Sequence, residues 1–513
     1  MKKLKAILIA GILILLGLSA ILVFKTLGEY GSAGPISVSE YLAGNRSQIS
    51  EEETASEIEG EARLDEESSL AAGEAHEEEE AFRSASEKQG DEGYSEAAGE
   101  AQGDEGYSGA ASEAQGNAGD SGAASEAQGE EGTSGLEGGA QGDVGASGIA
   151  NEAGAEKEAD PGEALLQELI EKQSLERKIS QLFVPTPEAL TGVDQVIRAG
   201  DGTRKSFEEF PVSGIIYMGS NLKNPDQTRE MLSNMSAFSR DILGLPVFLC
   251  VDEEGGTVAR IAKDPSFGVK NVGDMLDIGK TGDIEKAREA GEYVGDYLSG
   301  LGFNVDFAPV ADIITVSGNK LMEKRAFGSD KDLVCDMTRA FSDGLLSQGV
   351  FSCAKHFPGH GNTTEDSHKG YAVSRKTLQE LRETELAPFK AEIDAGIPMI
   401  MVGHISLPEV TGDMTPSSLS PVIVQDLLRG ELGYENIVIT DAMNMGAIAN
   451  NYPSGEAAVR AIEAGCDLLL AVNDIKGARQ ALLKAVDSGK IKEERIDESL
   501  RRIYRVKLKL AGN

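Results

Sequence analysis

Between Ile179 and Val472 the chain repeats one alternation eight times: a short apolar run, then a longer stretch that includes helical spacing. The apolar runs are Ile179–Val184, Gly214–Met218, Val247–Val251, Val305–Pro309, Val350–Ala354, Met399–Val402, Ile437–Thr440 and Asp467–Val472. Short runs with so little polar alternation suit strands covered on both faces. Helical spacing lies between them, for example over Asp226–Leu243, Ile284–Leu301, Leu378–Ala395 and Glu456–Ala464. Eight such units predict an α/β fold, a (β/α)8 TIM barrel over residues 163–513. A doubly wound open sheet is the alternative. No Gly-x-Gly-x-x-Gly follows the first run, which weakens a dinucleotide-binding version.

Upstream the chain changes character twice. Met-Lys-Lys-Leu-Lys precedes an apolar run of 19 uncharged residues, Ala6–Phe24. That is long enough to cross a bilayer and long for a leader's apolar core. Lysines before it predict a cytoplasmic N-terminus and an exported remainder. Residues 1–30 are therefore expected to be a signal anchor. The protein would then be a single-pass protein of the cell membrane with an extracellular catalytic part, or a secreted one if cleavage occurs near Ser32-Ala33-Gly34. No cysteine lies nearby to carry a lipid.

Residues 31–162 are mostly Glu, Gly, Ala and Ser, with too little apolar side chain to offset ordering entropy; a disordered spacer is expected. Within it an Ala/Lys-Gln-Gly unit recurs at Gln89, Gln102, Gln115, Gln128 and Gln141, a period that suits no packed solenoid. Residues 51–160 hold 32 acidic and 4 basic side chains, −28 of the chain's net −38. The remainder is only mildly acidic, which argues against nucleic-acid binding. The four cysteines, Cys250, Cys335, Cys353 and Cys466, contain no Cys-x-x-Cys pair, and several lie in apolar runs. They are expected as buried small hydrophobes, and neither a disulfide framework nor a metal or organic cofactor is implied.

Polar side chains gather where the apolar runs stop. Asp252-Glu253-Glu254 follows the third, Asp312 the fourth, Lys355-His356 the fifth, His404 the sixth and Asp441 the seventh. In barrels of this kind, active sites gather at the C-terminal ends of strands. The densest stretch runs Lys355-His356-Phe357-Pro358-Gly359-His360-Gly361-Asn362-Thr363-Thr364-Glu365-Asp366-Ser367-His368. Pro358, Gly359 and Gly361 open a loop there. Asp366 and His368, two apart on an extended segment, point the same way, so the carboxylate can orient the imidazole as a general acid/base. Asp441 is either the cap of a following helix or a carboxylate nucleophile. Arg260 and Arg325 on their own read as surface or ion-pair residues.

Lys-His-Phe-Pro-Gly-His-Gly followed by Asp-Ser-His resembles the β-N-acetylglucosaminidases of glycoside hydrolase family 3. Thr440-Asp441-Ala-Met-Asn-Met445, Asp252-Glu-Glu-Gly-Gly-Thr-Val-Ala-Arg260 and Arg325-Ala-Phe-Gly328 extend the resemblance across residues 175–505. It implies Asp441 as nucleophile, His368 as general acid/base oriented by Asp366, and Asp252, Arg260, Arg325, Lys355 and His356 as ligands of the sugar. It also implies retention of configuration and substrates that are N-acetylglucosamine-containing glycans or muropeptides of the cell wall. Two departures concern fine specificity: Thr257 replaces an expected second arginine, and Met322-Glu323-Lys324 replaces an Asp-containing turn. The second sandwich domain of many relatives is not expected.

Other readings use the same residues differently. His356, His360, His368, Asp366 and His404 could ligate zinc, but Pro358 interrupts any helix and no His-Glu-x-x-His occurs. A catalytically dead wall-binding module would lack Asp441, Asp366 or His368, and all three are present. A β-glucosidase, or a phosphorylase using phosphate in place of water, remains as an enzymatic alternative.

Overall fold

The computed structural model describes residues 161–363 and 370–512. The expected anchor, the acidic spacer up to residue 160, and Asp366 and His368 lie outside those residues; Pro161 and Gly162, expected in the spacer, instead begin a helix, Pro161–Glu171. No helix among the described residues is long and apolar enough to cross a membrane.

Eight strands follow the order of the apolar runs: β1 (Phe183–Val184), β2 (Gly214–Ile216), β3 (Phe248–Val251), β4 (Val305–Asp306), β5 (Phe351–Phe357), β6 (Met399–Val402), β7 (Ile437–Thr440) and β8 (Leu469–Leu470). Strands β2 to β7 form one parallel sheet in sequence order, and β8 pairs with β1, also in parallel. That pair is hydrogen-bonded to both edges of the sheet. Ser213 N–H donates to the Phe183 carbonyl at 3.2 Å, and Thr440 N–H to the Leu468 carbonyl at 3.0 Å. The result is a curled, TIM-like parallel sheet. Its order never reverses, as a doubly wound sheet would require.

Each strand leads into a helix: α1 (Asp201–Glu209), α2 (Pro225–Leu243), α3 (Ile284–Leu301), α4 (Lys331–Ser347), α5 (Leu386–Asp394), α6 (Val422–Glu431), α7 (Ser454–Ala464) and α8 (Ile475–Asp487). Local chemistry sets their ends. Asn224 accepts from Gln227 N–H at 2.9 Å to start α2, Pro225 fills its first position, and Gly244 closes it in the left-handed region. A final helix, Glu493–Gly512, follows. Cys250, Cys353 and Cys466 are buried and all four thiols are free, as expected of small hydrophobes.

Some sequence expectations fail for identifiable reasons. Ile179 does not begin a strand. Residues Leu175–Ser180 are helical, started by Ser174, whose hydroxyl accepts from Arg177 N–H. The stretch Leu378–Ala395 is two helices, Leu378–Glu383 and α5. Pro388 has no N–H to donate to Thr384 and its ring would press on that carbonyl, so the first helix stops there. Finally, Lys355 and His356 lie inside β5, not beyond it.

Candidate active site

The extension of β5 explains how two adjacent residues can serve one site. Ala354 pairs with Ile400 and Phe357 with Val402, so three steps on β5 oppose two on β6. Such a bulge re-aims side chains that strict alternation would send to opposite faces. Lys355 Nζ lies 2.9 Å from Asp252 and 2.6 Å from Glu254. His356 Nδ1 lies 2.8 Å from Asp312 Oδ2, and its Nε2 is 3.3 Å from Arg325 Nη2. A guanidinium only donates, so Nε2 accepts and the ring proton sits on Nδ1, facing Asp312.

Asp252-Glu253-Glu254 at the tip of β3 divides three tasks among three carboxylates. Asp252 faces Lys355 and, at 3.4 Å, Arg260. Glu253 turns inward and accepts from Ile261 N–H, Ala262 N–H and the Tyr297 hydroxyl at 2.9, 2.8 and 2.9 Å, which fixes the loop carrying Arg260. Glu254 receives Arg325 as a fork, Nε at 2.7 Å and Nη2 at 2.8 Å, as well as Lys355. Burial alone would raise the Glu254 carboxyl, but Arg325 and Lys355 hold it well below the usual carboxylate range. Burial works against the charge on Lys355, yet Asp252 and Glu254 leave its ammonium harder to deprotonate than usual; Glu254 does the same for Arg325.

The loop after β5 is seated by close approach. A Cβ on Gly361 would lie 1.9 Å from the Ile313 carbonyl, and Gly359 has φ +127° with Glu385 against it. Asp312 accepts from His360 N–H at 2.6 Å, and Asn319 Nδ2 donates to the His360 carbonyl at 2.9 Å. Burial lowers the His360 imidazole to about 4, so that ring is neutral near pH 7. Gly-x-Gly is thus the chain's means of folding the loop down onto β4's extension.

Asp441 stands directly after β7, with its N–H bonded to the Val402 carbonyl at 2.9 Å. Its Oδ1 accepts from Ala442 N–H at 2.7 Å. The next helix, Gly446–Ala449, is preceded by Met445, so Asp441 does not cap it. Burial pushes the carboxyl up. The nearby imidazoles of His356 and His404 more than offset this together with Ala442 N–H and Lys355, leaving about 2. His404 donates from Nε2 to the Ala442 carbonyl at 3.0 Å and accepts at Nδ1 from Ser418, 2.8 Å away. It therefore steadies the backbone just past Asp441.

Residues 174–506 match the family "Glycosyl hydrolase family 3 N terminal domain". A β-hexosaminidase of Stenotrophomonas maltophilia is 33% identical over 276 residues, 52% of this chain and 78% of that one. β-Hexosaminidase A of Pseudoalteromonas piscicida is 31% identical over 326 residues, and the match spans 54% of its length. Among solved structures, a glycoside hydrolase family 3 β-N-acetylglucosaminidase of Paenibacillus sp. superposes with TM-score 0.62 at 37% identity, over 66% of this chain and 63% of that one. The chain belongs to glycoside hydrolase family 3.

Of the site residues expected from sequence, Asp252, Arg260, Arg325, Lys355 and His356 come together in this family 3 domain through the contacts above, and Asp441 lies within the electrostatic reach of His356 and Lys355. Asp366 and His368 lie outside the described residues. Three partners were not among the expected site residues: Glu254, Asp312 and His404. Their signal was their place at the tips of apolar runs, but sequence offered no way to say which side chain each would face. The two departures from the family pattern have different settings. Thr257 is exposed, whereas Met322 is buried against Val310 and Ala326. Among the described residues no group of three or more His, Cys, Asp or Glu side chains is arranged to hold a metal ion.

Proposed function

We propose that this chain is a retaining exo-β-N-acetylglucosaminidase that removes terminal, non-reducing N-acetylglucosamine from cell-wall glycan fragments. Asp441 attacks the anomeric carbon as the glycosidic bond breaks, and His368, held by Asp366, protonates the departing oxygen. The same imidazole then takes a proton from water, which displaces Asp441 and restores the β-anomer. An imidazole suits this exchange because it cycles between cation and neutral base near pH 7 without adding a second negative charge beside the nucleophile. Asp252 accepts from sugar hydroxyls, Arg260, Arg325 and Lys355 donate to hydroxyl or acetamido oxygens, and His356 holds Arg325 beside them.

The observation that carries this reading is an ionised, nearly enclosed Asp441 at a strand tip, 9% exposed and beside the linked Lys355–Asp252–Glu254–Arg325–His356 cluster. A nucleophile must be anionic at working pH, and this one is. The choice of an N-acetylated sugar follows from the hexosaminidase names of the relatives; the wall fragment follows from the family resemblance. An N-terminal anchor with an acidic spacer would hold the domain outside the cell, against such substrates.

The test is a panel of aryl β-glycosides, with the product anomer followed by NMR, in buffers with and without inorganic phosphate. Turnover confined to the N-acetylglucosaminide, with β-N-acetylglucosamine formed first, is the expected result. Release of an α-anomer would rule out the double displacement, and a sugar 1-phosphate would replace hydrolysis by phosphorolysis.

A further inference from the structure

Glu254 is a buried carboxylate to which the steps above assign no task, and it contacts both buried cations of the cluster. One oxygen takes Lys355 and Arg325 Nη2, at 2.6 and 2.8 Å, and the other takes Arg325 Nε at 2.7 Å. Its side chain is 2% exposed, that of Lys355 3% and that of Arg325 9%, so water does little to screen or replace these contacts. Lys and Arg are long side chains, each costly in rotamer entropy to hold still. A single carboxylate that binds the fork of one and the ammonium of the other removes that freedom from both at once.

The same carboxylate sets the charge. Lys355 and Arg325 both face Glu254, Lys355 also faces Asp252, which Arg260 shares, and Asp312 acts on Arg325 as a further negative charge. Removing the Glu254 charge would make the surroundings of Lys355 and Arg325 one unit more positive in a site shielded from solvent, a change that favours anions.

We propose that Glu254 is a positioning residue with a second effect on specificity. It clamps Lys355 and Arg325 in the geometry that receives a neutral sugar, and it keeps the site from accepting an anion such as phosphate in the sugar's or water's place. This rests on the functional reading above, in which Lys355 and Arg325 contact the sugar.

Two variants separate reach from charge. Glu254→Gln keeps the size and removes the charge; its amide nitrogen would also meet Arg325 Nε donor to donor. Glu254→Asp keeps the charge but is one methylene too short to serve both cations. Each variant is assayed for kcat and KM on an aryl N-acetylglucosaminide, for its thermal midpoint, and for binding of inorganic phosphate by calorimetry at constant ionic strength. Both variants are expected to lose about 100-fold in kcat/KM, the scale on which displaced binding groups act. Only Glu254→Gln is expected to bind phosphate more tightly than the wild type, by about tenfold, a modest part of what one freed buried charge can supply. A merely structural residue would lower the thermal midpoint in both variants without separating them in phosphate affinity. Unchanged phosphate binding in Glu254→Gln, or kcat/KM within about threefold of the wild type in either variant, overturns the proposal. Should the wild type itself fail to turn over the glycoside, the functional reading falls. The phosphate comparison would still decide the charge-balancing role, since calorimetry needs no turnover. If Glu254→Gln does not fold, Arg325→Lys tests the clamp, because an ammonium cannot fill the fork; undiminished turnover there would sink it.

Discussion

Two buried aspartates, 26 residues apart in sequence, sit among cations, one a structural tie and the other the nucleophile proposed above. Asp467 is fully enclosed. Its oxygens take Ser499 Oγ at 2.7 Å, Arg502 at 3.1 Å and Val438 N–H at 3.0 Å, together with Arg429; Arg495 lies 3.6 Å away. Asp441 shares the setting of strand and positive charge but keeps 9% exposure and bonds its own neighbour, Ala442 N–H. Both carboxyls are held below their usual range: burial opposes this in each, and three arginines prevail at Asp467, imidazoles first at Asp441. A depressed pKa therefore does not distinguish a structural carboxylate from a reactive one. What distinguishes them is whether the protein itself has used up the oxygens. Asp467 joins β7, the approach to β8 and the final helix; Asp441 takes one backbone N–H, from Ala442.

The sharpest way to break this comparison is to remove each carboxylate in turn. Asp441→Asn should lower kcat by about 10^4-fold or more, as loss of a covalent nucleophile does, while the thermal midpoint moves little. Activity near the wild-type level would remove Asp441 from the mechanism. Asp467→Ala should do the reverse, costing about 3–5 kcal/mol in denaturant unfolding because it strands buried guanidinium groups. A cost under about 1 kcal/mol would mean that those arginines find other partners.

A pH profile sharpens it further. Asp441 has a carboxyl at about 2, so it stays ionised through the working range. Any acid limb of kcat/KM above about pH 4 should then belong to another group, and it should persist when the field on Asp441 is altered. An acid limb that moved with substitution of His404 would assign it to Asp441 instead.

The end of the barrel away from the site offers the control. Lys507, on the final helix, is wholly buried with no hydrogen-bond partner for Nζ among the described residues, 5.2 Å from the ring of Phe248 at the start of β3. Burial lowers its ammonium to about 7, slightly offset by Cys250. The unfolded chain, with an ordinary lysine near 10.5, then binds more protons than the folded one between about pH 7 and 10.5. Stability should therefore rise with pH across that window. Lys507→Met should flatten this slope and stabilise the fold by about 1–3 kcal/mol at pH 7, where the penalty for an unpaired buried amine is large. A destabilised variant would show that Nζ has a partner. The smallest effect is expected from Ser418→Ala, which removes the hydroxyl that donates to His404. Turnover should fall by about three- to tenfold, with stability lower by about 1 kcal/mol; no change in turnover would limit His404 to packing.

The eight-fold alternation, the position of each strand and the polar residues at the strand tips were legible in the chain, because burial on two faces demands short apolar runs and the tips are where polarity is permitted. So was the family, through motifs such as Lys355-His356-Phe357-Pro358-Gly359-His360-Gly361 and Thr440-Asp441-Ala-Met. Strand ends were less legible: the bulge that lengthens β5 depends on β6 beside it, and the break before α5 on where Pro388 falls in the helix register. Pairings could not be read at all. That Glu253 holds a loop while Glu254 holds two cations, or that Asp467 is spent and Asp441 is not, depends on partners 7 to 101 positions away. Composition and spacing determine which side chains a site has to work with. Only the closing of strands and helices around them decides which charges neutralise one another, because Coulomb and hydrogen-bond energies depend on distances the one-dimensional order does not contain.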